Sequence, residues 1–432
     1  MARQYWVETL GCPKNQVDSD KLVGTLLADG LTPADGPEAA DLVVVNTCAF
    51  VESARQESVE VILGLSGARK DGAELIVTGC MAERYGAELA DALPEVDAVR
   101  GFGVPVTLGR KPEPERPVGA AAGSGMHEPP SLDLLNLPRP ASSAPWAYVK
   151  VAEGCDRACG FCAIPTFRGP QRSRTITSIL AEVDVLEAQE IVLVAQDLAS
   201  YGRDQGEGRR SIVPLVQAVS ERVARTRLLY LYPSDLTDEL VETICATGVP
   251  YFDLSLQHVS RPLLRRMRRW GDGDRFLARI EGIRANEPDA AFRSNFIVGY
   301  PGETEGDHDA LLAFVEAARL DWCGFFAYSA EDGTHAAGLD GTVPAGLVAE
   351  RLVELTELQD RITAAARDEL VGRTVEVLVD APGVGRTHRE APEIDGVVHV
   401  PDDLATGTFA RVEVVAALGP DLDAVHAAVA IR

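Results

Sequence analysis

Apolar residues in the first hundred positions fall in short runs that each end on a cysteine, and each run is followed by a stretch with helical spacing. YWVETLGC leads into VDSDKLVGTLLADG, DLVVVNTC into ESARQESVEVILGL, and ELIVTGC into AERYGAELADAL. Strands alternating with helices of this length predict a parallel sheet with helical crossovers. The carboxyl ends of all strands in such a sheet lie on one edge, where ligands bind. Cys12, Cys48 and Cys80 are far apart in the chain, yet this topology expects them to meet.

Residues 101–145 change character. RKPEPERPVGAAAGSGMHEPP and LPRPASSAP are rich in Pro, Gly, Ala and Ser and read as a linker or long loop. From Trp146 a second alternation begins, with strand candidates at AYVKVA, EIVLVA, LLYLY, YFDLSLQ, RSNFIVG and CGFFAYS. Helical patterns such as ITSILAEVDVLEA and EGDHDALLAFVEAARL separate them. Six such units over 146–371 predict a partial (β/α)6 version of the eight-unit barrel, with its active site at the strand C-termini. Polar residues gather at those ends: Gln196, Asp197, Ser234, Gln257, His258, Glu303, Tyr328 and Ser329. A long helical stretch near 344–370 closes the region, with Gly372 as its stop. Within 372–432, VEVLVDA, DGVVHV and FARVEVVAAL are short strands between turns, as in a small β-barrel. The expected architecture is therefore α/β, with a parallel-sheet domain at 1–100, a partial barrel at 146–371 and a β-barrel at 372–432.

Composition narrows the setting. The 432 residues are 46% hydrophobic and 25% charged, as in soluble globular proteins. No apolar run approaches the roughly 20 residues a membrane helix needs. The start, MARQYWVETLGC, has no basic region followed by an apolar stretch, so no secretory signal is expected and a cytoplasmic location follows. Thiols stay reduced there, which makes the eight cysteines candidate ligands or catalytic groups rather than disulfides. A formal net charge of -25 opposes binding to nucleic acid and suits basic partners, although negative charge also serves solubility.

The densest chemistry lies in EGCDRACGFCAIPTFRG, where Cys155, Cys159 and Cys162 stand at C-x3-C-x2-C after a strand. Three thiolates in one loop can hold three irons of a cubane and leave the fourth without a protein ligand. A structural zinc site would need a fourth Cys or His, and none lies nearby in the sequence. Cys12, Cys48 and Cys80 form a second set of three. Buried thiols that merely pack are the alternative, but packing gives no reason for a cysteine at each strand end. Cys245 and Cys323 show no such pattern and read as core residues. Arg261, Arg265, Arg266, Arg268 and Arg269 read as a solvated helix face. His258 could face the active site or be a satisfied buried imidazole.

The cysteine loop, with Phe161 before its third cysteine, resembles that of the radical S-adenosylmethionine superfamily. The resemblance implies that the amino and carboxylate groups of S-adenosylmethionine chelate the open iron, and that an electron from the reduced cluster yields a 5'-deoxyadenosyl radical. NFIVGYPGET resembles the strand-to-glycine turn that lies along the adenosyl group, which makes Gly299, Gly302 and Glu303 candidate contacts. Two cysteine triads followed by a small barrel resemble the methylthiotransferase family over essentially the whole chain, the barrel corresponding to its TRAM domain. GCPKNQVDSD, VAQDLASYG, LYPSDLTDEL, DLSLQHVS and REAPEIDG are similar to the RimO branch of that family. This implies two [4Fe-4S] clusters, with S-adenosylmethionine as both radical source and methyl donor. It further implies a low-potential electron donor of flavodoxin or ferredoxin type. The implied substrate is small-subunit ribosomal protein twelve, methylthiolated at the beta carbon of an aspartate.

Modification of a transfer RNA adenosine remains a rival in the same class. A two-cluster electron carrier is a rival of another class, which would require a fourth cysteine at each site. From Gly372 to Arg432 there are five Arg, no Lys and ten acids, so 5 - 10 = -5. An acidic barrel suits a basic ribosomal protein better than RNA phosphates. As a substrate-recognition module, the barrel is expected to be removable without loss of 5'-deoxyadenosine formation.

Overall fold

The computed structural model describes residues 3–109, 133–206 and 210–428. Its first layer is a five-stranded, wholly parallel sheet. Strands lie in the order Thr32–Pro33, Gln4–Thr9, Leu42–Thr47, Glu74–Gly79 and Ala98–Val99. Helices Pro13–Ala28, Glu52–Ala68 and Cys80–Ala92 supply the crossovers. Leu42–Thr47 is buried at every position, which is why its sequence is a continuous apolar run rather than an alternation.

Six parallel strands build the central region. Trp146–Lys150, Glu190–Val194 and Arg225–Leu228 form one sheet, and Tyr251–Gln257, Ala291–Val298 and Trp322–Ala327 form another. A single bridge from Leu231 to Leu254 joins them. The result is the open (β/α)6 barrel expected. LLYLY, however, is not the strand: it begins at Arg225 and ends at Leu228, and Tyr230 takes a φ of +66°. Beyond Leu228 its leucines are buried, and only the Leu231 bridge to Leu254 continues the pairing. Side chains alternate across the barrel wall. Val149, Ile191 and Leu193 face the outer helices, while Tyr148, Val192, Val194, Leu229, Tyr251 and Trp322 fill the interior. The helix Ala345–Asp368 covers the last strand, Trp322–Ala327.

The C-terminal domain is a closed five-stranded barrel of Thr374–Ala381, Val384–Arg386, Val398–His399, Asp421–His426 and Phe409–Leu418. Its segment 387–395 leaves the barrel wall and enters the floor of the central one. Ala391 and Ile394 join the interior apolar cluster. Tyr148 donates to the Pro392 carbonyl (2.7 Å), Tyr251 to Asp395 (2.6 Å) and the Trp322 indole to the Arg389 carbonyl (2.7 Å). Glu190, fully buried, pairs with both Arg227 (2.7 Å) and Arg386 (3.2 Å). Burial alone would raise its pKa; the two guanidiniums bring it down to about 2.

The expected linker 101–145 is only partly within the described residues. Its ends are packed: Val106, Leu134 and Leu135 are buried, and Lys21 donates to the Leu135 carbonyl (2.5 Å). No helix among the described residues is long and apolar enough to cross a membrane.

Candidate active site between two cysteine triads

The N-terminal sheet delivers its three cysteines to one edge. Cys48 and Cys80 directly follow their strands, and Cys12 caps the Pro13–Ala28 helix. Gly11 has a φ of +96°, and a Cβ there would stand 2.8 Å from the Cys48 Cβ. Only glycine lets the Cys12 turn approach the Cys48 turn so closely. Asn15 stitches the turns together. Its amide donates to the carbonyls of Leu10 (2.9 Å) and Thr47 (3.0 Å), and its oxygen faces the Cys80 sulfur at 3.6 Å.

Burial and the neighbouring thiolates of Cys80 and Cys12 push the Cys48 thiol up to about 12. Burial also raises Cys80, against the pull of Arg168. Burial would raise Cys12 too, but Lys14, Arg168 and nearby backbone N–H groups bring it below its ordinary value. These mutual effects are those of three thiols sharing one site. Among the described residues no group of His, Cys, Asp or Glu is arranged to hold a single metal ion. A cubane gives each thiolate its own iron and so needs a wider triangle.

The second triad sits on the loop after Trp146–Lys150. Arg157, inside that loop, donates to Asp197 (2.6 Å) and Ser200 (3.1 Å) and pairs with Asp235. It also stacks on Tyr232, 3.9 Å from the ring centroid. The opposing guanidinium is Arg269, 4.0 Å from the same ring, which donates to the Cys159 sulfur at 3.4 Å. Backbone pairing holds the loop at Gly160, whose N–H donates to the Met267 carbonyl (2.8 Å) and whose carbonyl accepts from Ala336 (2.7 Å). Burial lifts Cys155 to about 11 and Cys162 to about 12. All three are soft donors that a metal must deprotonate on binding. The donor set fits a cubane with one open iron.

The turn Gly299–Glu303 lies at the same end of the barrel. Gly299 (φ +80°) lines an apolar cavity of about 400 Å³ with Tyr328, Leu339 and Val348. The Gly302 N–H donates to the Gly341 carbonyl (2.7 Å). Glu303 turns inward, accepting from the N–H groups of Gly299 (2.6 Å) and Tyr300 (3.2 Å) and pairing with Arg351 (2.9 Å). Its contacts are thus with the turn itself and with the helix Ala345–Asp368.

Other polar strand-end residues divide. Gln196 donates to Glu153 (3.0 Å) and keeps a buried carbonyl oxygen without a hydrogen-bond partner among the described residues. Ser234 donates to Asp235, and Gln257 has a φ of +70°. His258 is fully buried, accepts from the Ser260 N–H (3.0 Å) and faces Asp307, His308 and Arg351 rather than the cysteines. Cys245 and Cys323 pack against the central core, as expected. The arginine cluster is only in part a solvated face. Arg261, Arg265 and Arg268 are exposed, whereas Arg269 is buried against Cys159 and Arg266 reaches Asp340.

Two interdomain residues carried no local signal. Arg168, on the short helix after the second triad, donates to the Cys80 sulfur (3.0 Å) and Asn15 (2.8 Å), and with its other nitrogen to Glu153 (2.8 Å). Glu331, just past the last barrel strand, accepts from Arg55 and Arg84, each at 2.6 Å. Those arginines lie on the helices that follow Cys48 and Cys80, so one carboxylate clamps both turns. Ser329 donates to Glu331 (2.6 Å) and accepts from the Glu52 N–H (3.2 Å).

Known proteins match along the same divisions. Family models match for an uncharacterized protein family, UPF0004, over residues 4–101, for the Radical SAM superfamily over 149–315, and for the TRAM domain over 371–426. Three curated relatives are named ribosomal protein uS12 methylthiotransferase RimO. The one from Kineococcus radiotolerans is 41% identical, covering 95% of this chain and 93% of that protein. The relative from Saccharopolyspora erythraea is 42% identical (98% and 94%), and that from Moorella thermoacetica 44% (92% and 93%). Among solved structures, the cobalamin-dependent S-adenosylmethionine radical enzyme OxsB matches at a TM-score of 0.47 and 11% identity, covering 83% of this chain and 56% of that one.

Proposed function

This chain belongs to the RimO family of ribosomal protein uS12 methylthiotransferases, and on that premise we propose that it adds a methylthio group to the β-carbon of an aspartate in ribosomal protein uS12. One observation carries the reading: Arg168, on the short helix after the second triad, is buried against the Cys80 sulfur of the first and is held by Glu153, two residues before Cys155.

Cys155, Cys159 and Cys162 would hold one [4Fe-4S] cluster, and Cys12, Cys48 and Cys80 a second. When bound, the first supplies the electron that splits S-adenosylmethionine into methionine and a 5'-deoxyadenosyl radical, and the second supplies a place to hold sulfur. The chain's own residues do the rest. Arg157 and Arg269, braced on Tyr232, fix the cysteine loop and offset the negative charge of its thiolates. Glu303 keeps the Gly299 turn open beside the apolar cavity, where the adenosyl group of S-adenosylmethionine would lie. Glu331 and Arg168 tie together the elements that carry the two triads, Glu331 through Arg55 and Arg84 and Arg168 through Cys80 and Glu153, as sulfur transfer to a carbon activated at the first cluster would require.

The acidic C-terminal barrel supports a basic protein substrate over RNA. A low-potential flavodoxin or ferredoxin would supply electrons, and the enzyme would work in the cytoplasm. The test is to incubate the anaerobically reconstituted full chain with S-adenosylmethionine, a reductant and either uS12 or transfer RNA. Methylthiolated aspartate on uS12 is expected. Methylthioadenosine in transfer RNA with no mass gain on uS12 would overturn the reading.

A further inference from the structure

Arg168 belongs to the central barrel, yet its closest sulfur is in the other domain. The guanidinium is buried, with a side chain only 2% exposed. It donates at 3.0 Å to the Cys80 sulfur, which is itself buried. Its charge acts on all three N-terminal thiols, Cys12, Cys48 and Cys80. Lys14 also acts on Cys12, but its ammonium is turned over the Tyr230 ring at 3.4 Å. The guanidinium is fixed from behind by Glu153, which also pairs with Lys150 (2.7 Å). Glu153 lies two residues before Cys155. A donor held this firmly on a ligand sulfur is one of the standard means by which a protein raises a cluster's reduction potential, since it stabilises the more negative reduced state.

We infer that Arg168 sets the reduction potential of the N-terminal cluster from across the domain boundary, so that this cluster is tuned only when the two domains are docked. The inference rests on the reading that Cys12, Cys48 and Cys80 hold a cluster. Arg168 is a positioning and tuning residue, acting through the Cys80 sulfur.

The test uses the full chain carrying Cys155→Ala, Cys159→Ala and Cys162→Ala, so that any iron–sulfur signal comes from the N-terminal site. Its midpoint potential is measured by redox titration followed by EPR, alone and with Arg168→Met, Arg168→Lys or Glu153→Gln. Arg168→Met should lower the potential, and Arg168→Lys should restore part of the difference because the ammonium keeps a charge but not the planar fork. Glu153→Gln keeps an acceptor for the guanidinium and removes a negative charge from the same buried network, so it should not lower the potential. If Arg168→Met fails to fold, the Arg168→Lys and Glu153→Gln pair decides: a larger downward shift for Arg168→Lys supports the inference. An unchanged potential in a cluster-loaded Arg168→Lys or Arg168→Met variant, or equal shifts for Glu153→Gln and Arg168→Lys, would overturn it alone. A parent with no iron or sulfide in the N-terminal site would overturn the cluster reading as well.

Discussion

Replacing Glu331 with Gln keeps the side chain's volume and removes its charge from the point where the central barrel grips both cysteine-bearing helices. Its carboxylate is 2% exposed, while Arg55 and Arg84 are 15% and 10% exposed. Two charge-assisted hydrogen bonds at about 1.5–3 kcal/mol each are lost, and a carboxamide oxygen recovers about 0.5–1.5 kcal/mol per bond. Both arginines can turn to water, so neither is stranded. The net weakening of the docked arrangement is about 2–3 kcal/mol, or roughly thirty- to a hundred-and-forty-fold at 1.4 kcal/mol per decade. Cleavage of S-adenosylmethionine depends on the second triad, which Glu331 does not touch, whereas sulfur insertion needs both triads at one mouth. Glu331→Gln should therefore keep forming 5'-deoxyadenosine while the yield of methylthiolated uS12 per 5'-deoxyadenosine falls at least tenfold. Both products can be quantified by liquid chromatography and mass spectrometry from the same anaerobic reaction. A product ratio equal to that of the parent, with cluster content intact, would refute the clamp argument.

Other outcomes follow from the same geometry. Cys159→Ala should remove one cluster by iron and sulfide assay and abolish 5'-deoxyadenosine, whereas Cys48→Ala should spare cleavage and lose sulfur insertion. The reverse pattern would exchange the roles of the triads. Burial holds the His258 imidazole down at about 4, against an ordinary 6.5. Between those values the unfolded chain binds the proton and the folded one does not, so stability should fall as pH drops from about 6.5 to 4, by up to about 3 kcal/mol. Denaturant melts of His258→Gln should lose that part of the pH dependence. Deleting 372–432 should lower the melting temperature and also 5'-deoxyadenosine formation, contrary to the expectation of a removable module. The cut strips the central barrel of its floor and breaks the buried Arg386–Glu190 pair. Full cleavage activity in a well-folded truncation would contradict this.

Much of the site was legible because its residues report on local pattern. Cys12, Cys48 and Cys80 were placed together by topology alone, since strand ends of a parallel sheet must share an edge. Cys155, Cys159 and Cys162 were legible from spacing. What escaped was long-range charge. Arg168 and Glu331 sit in no periodic segment, and their partners lie 88 and 247 residues away at Cys80 and Arg84. Charge density says nothing of which arginine turns inward, so Arg269 reads from sequence like its solvated neighbours although it is buried against Cys159. LLYLY misled for a related reason: its apolar side chains are buried by neighbours on both sides after the ladder ends at Leu228. The sequence REAPEIDG was visible as a motif, but that it fills another domain's interior could not be read from composition.

That filling segment ties catalytic competence to the order in which the chain is made. The hydrogen bond from Tyr148 to Pro392 spans 244 residues, so the barrel's first strand leaves the ribosome long before its floor does. Until then Tyr148, Tyr251 and Trp322 have no partner beneath them, and closing contacts so distant in sequence is slow. The nascent chain thus passes through an interval in which both cysteine triads have been synthesised while the central barrel still lies open from below. During that interval aggregation competes with closure. The floor of the central barrel can form only once the segment 387–395 has been made, after every strand of the barrel wall.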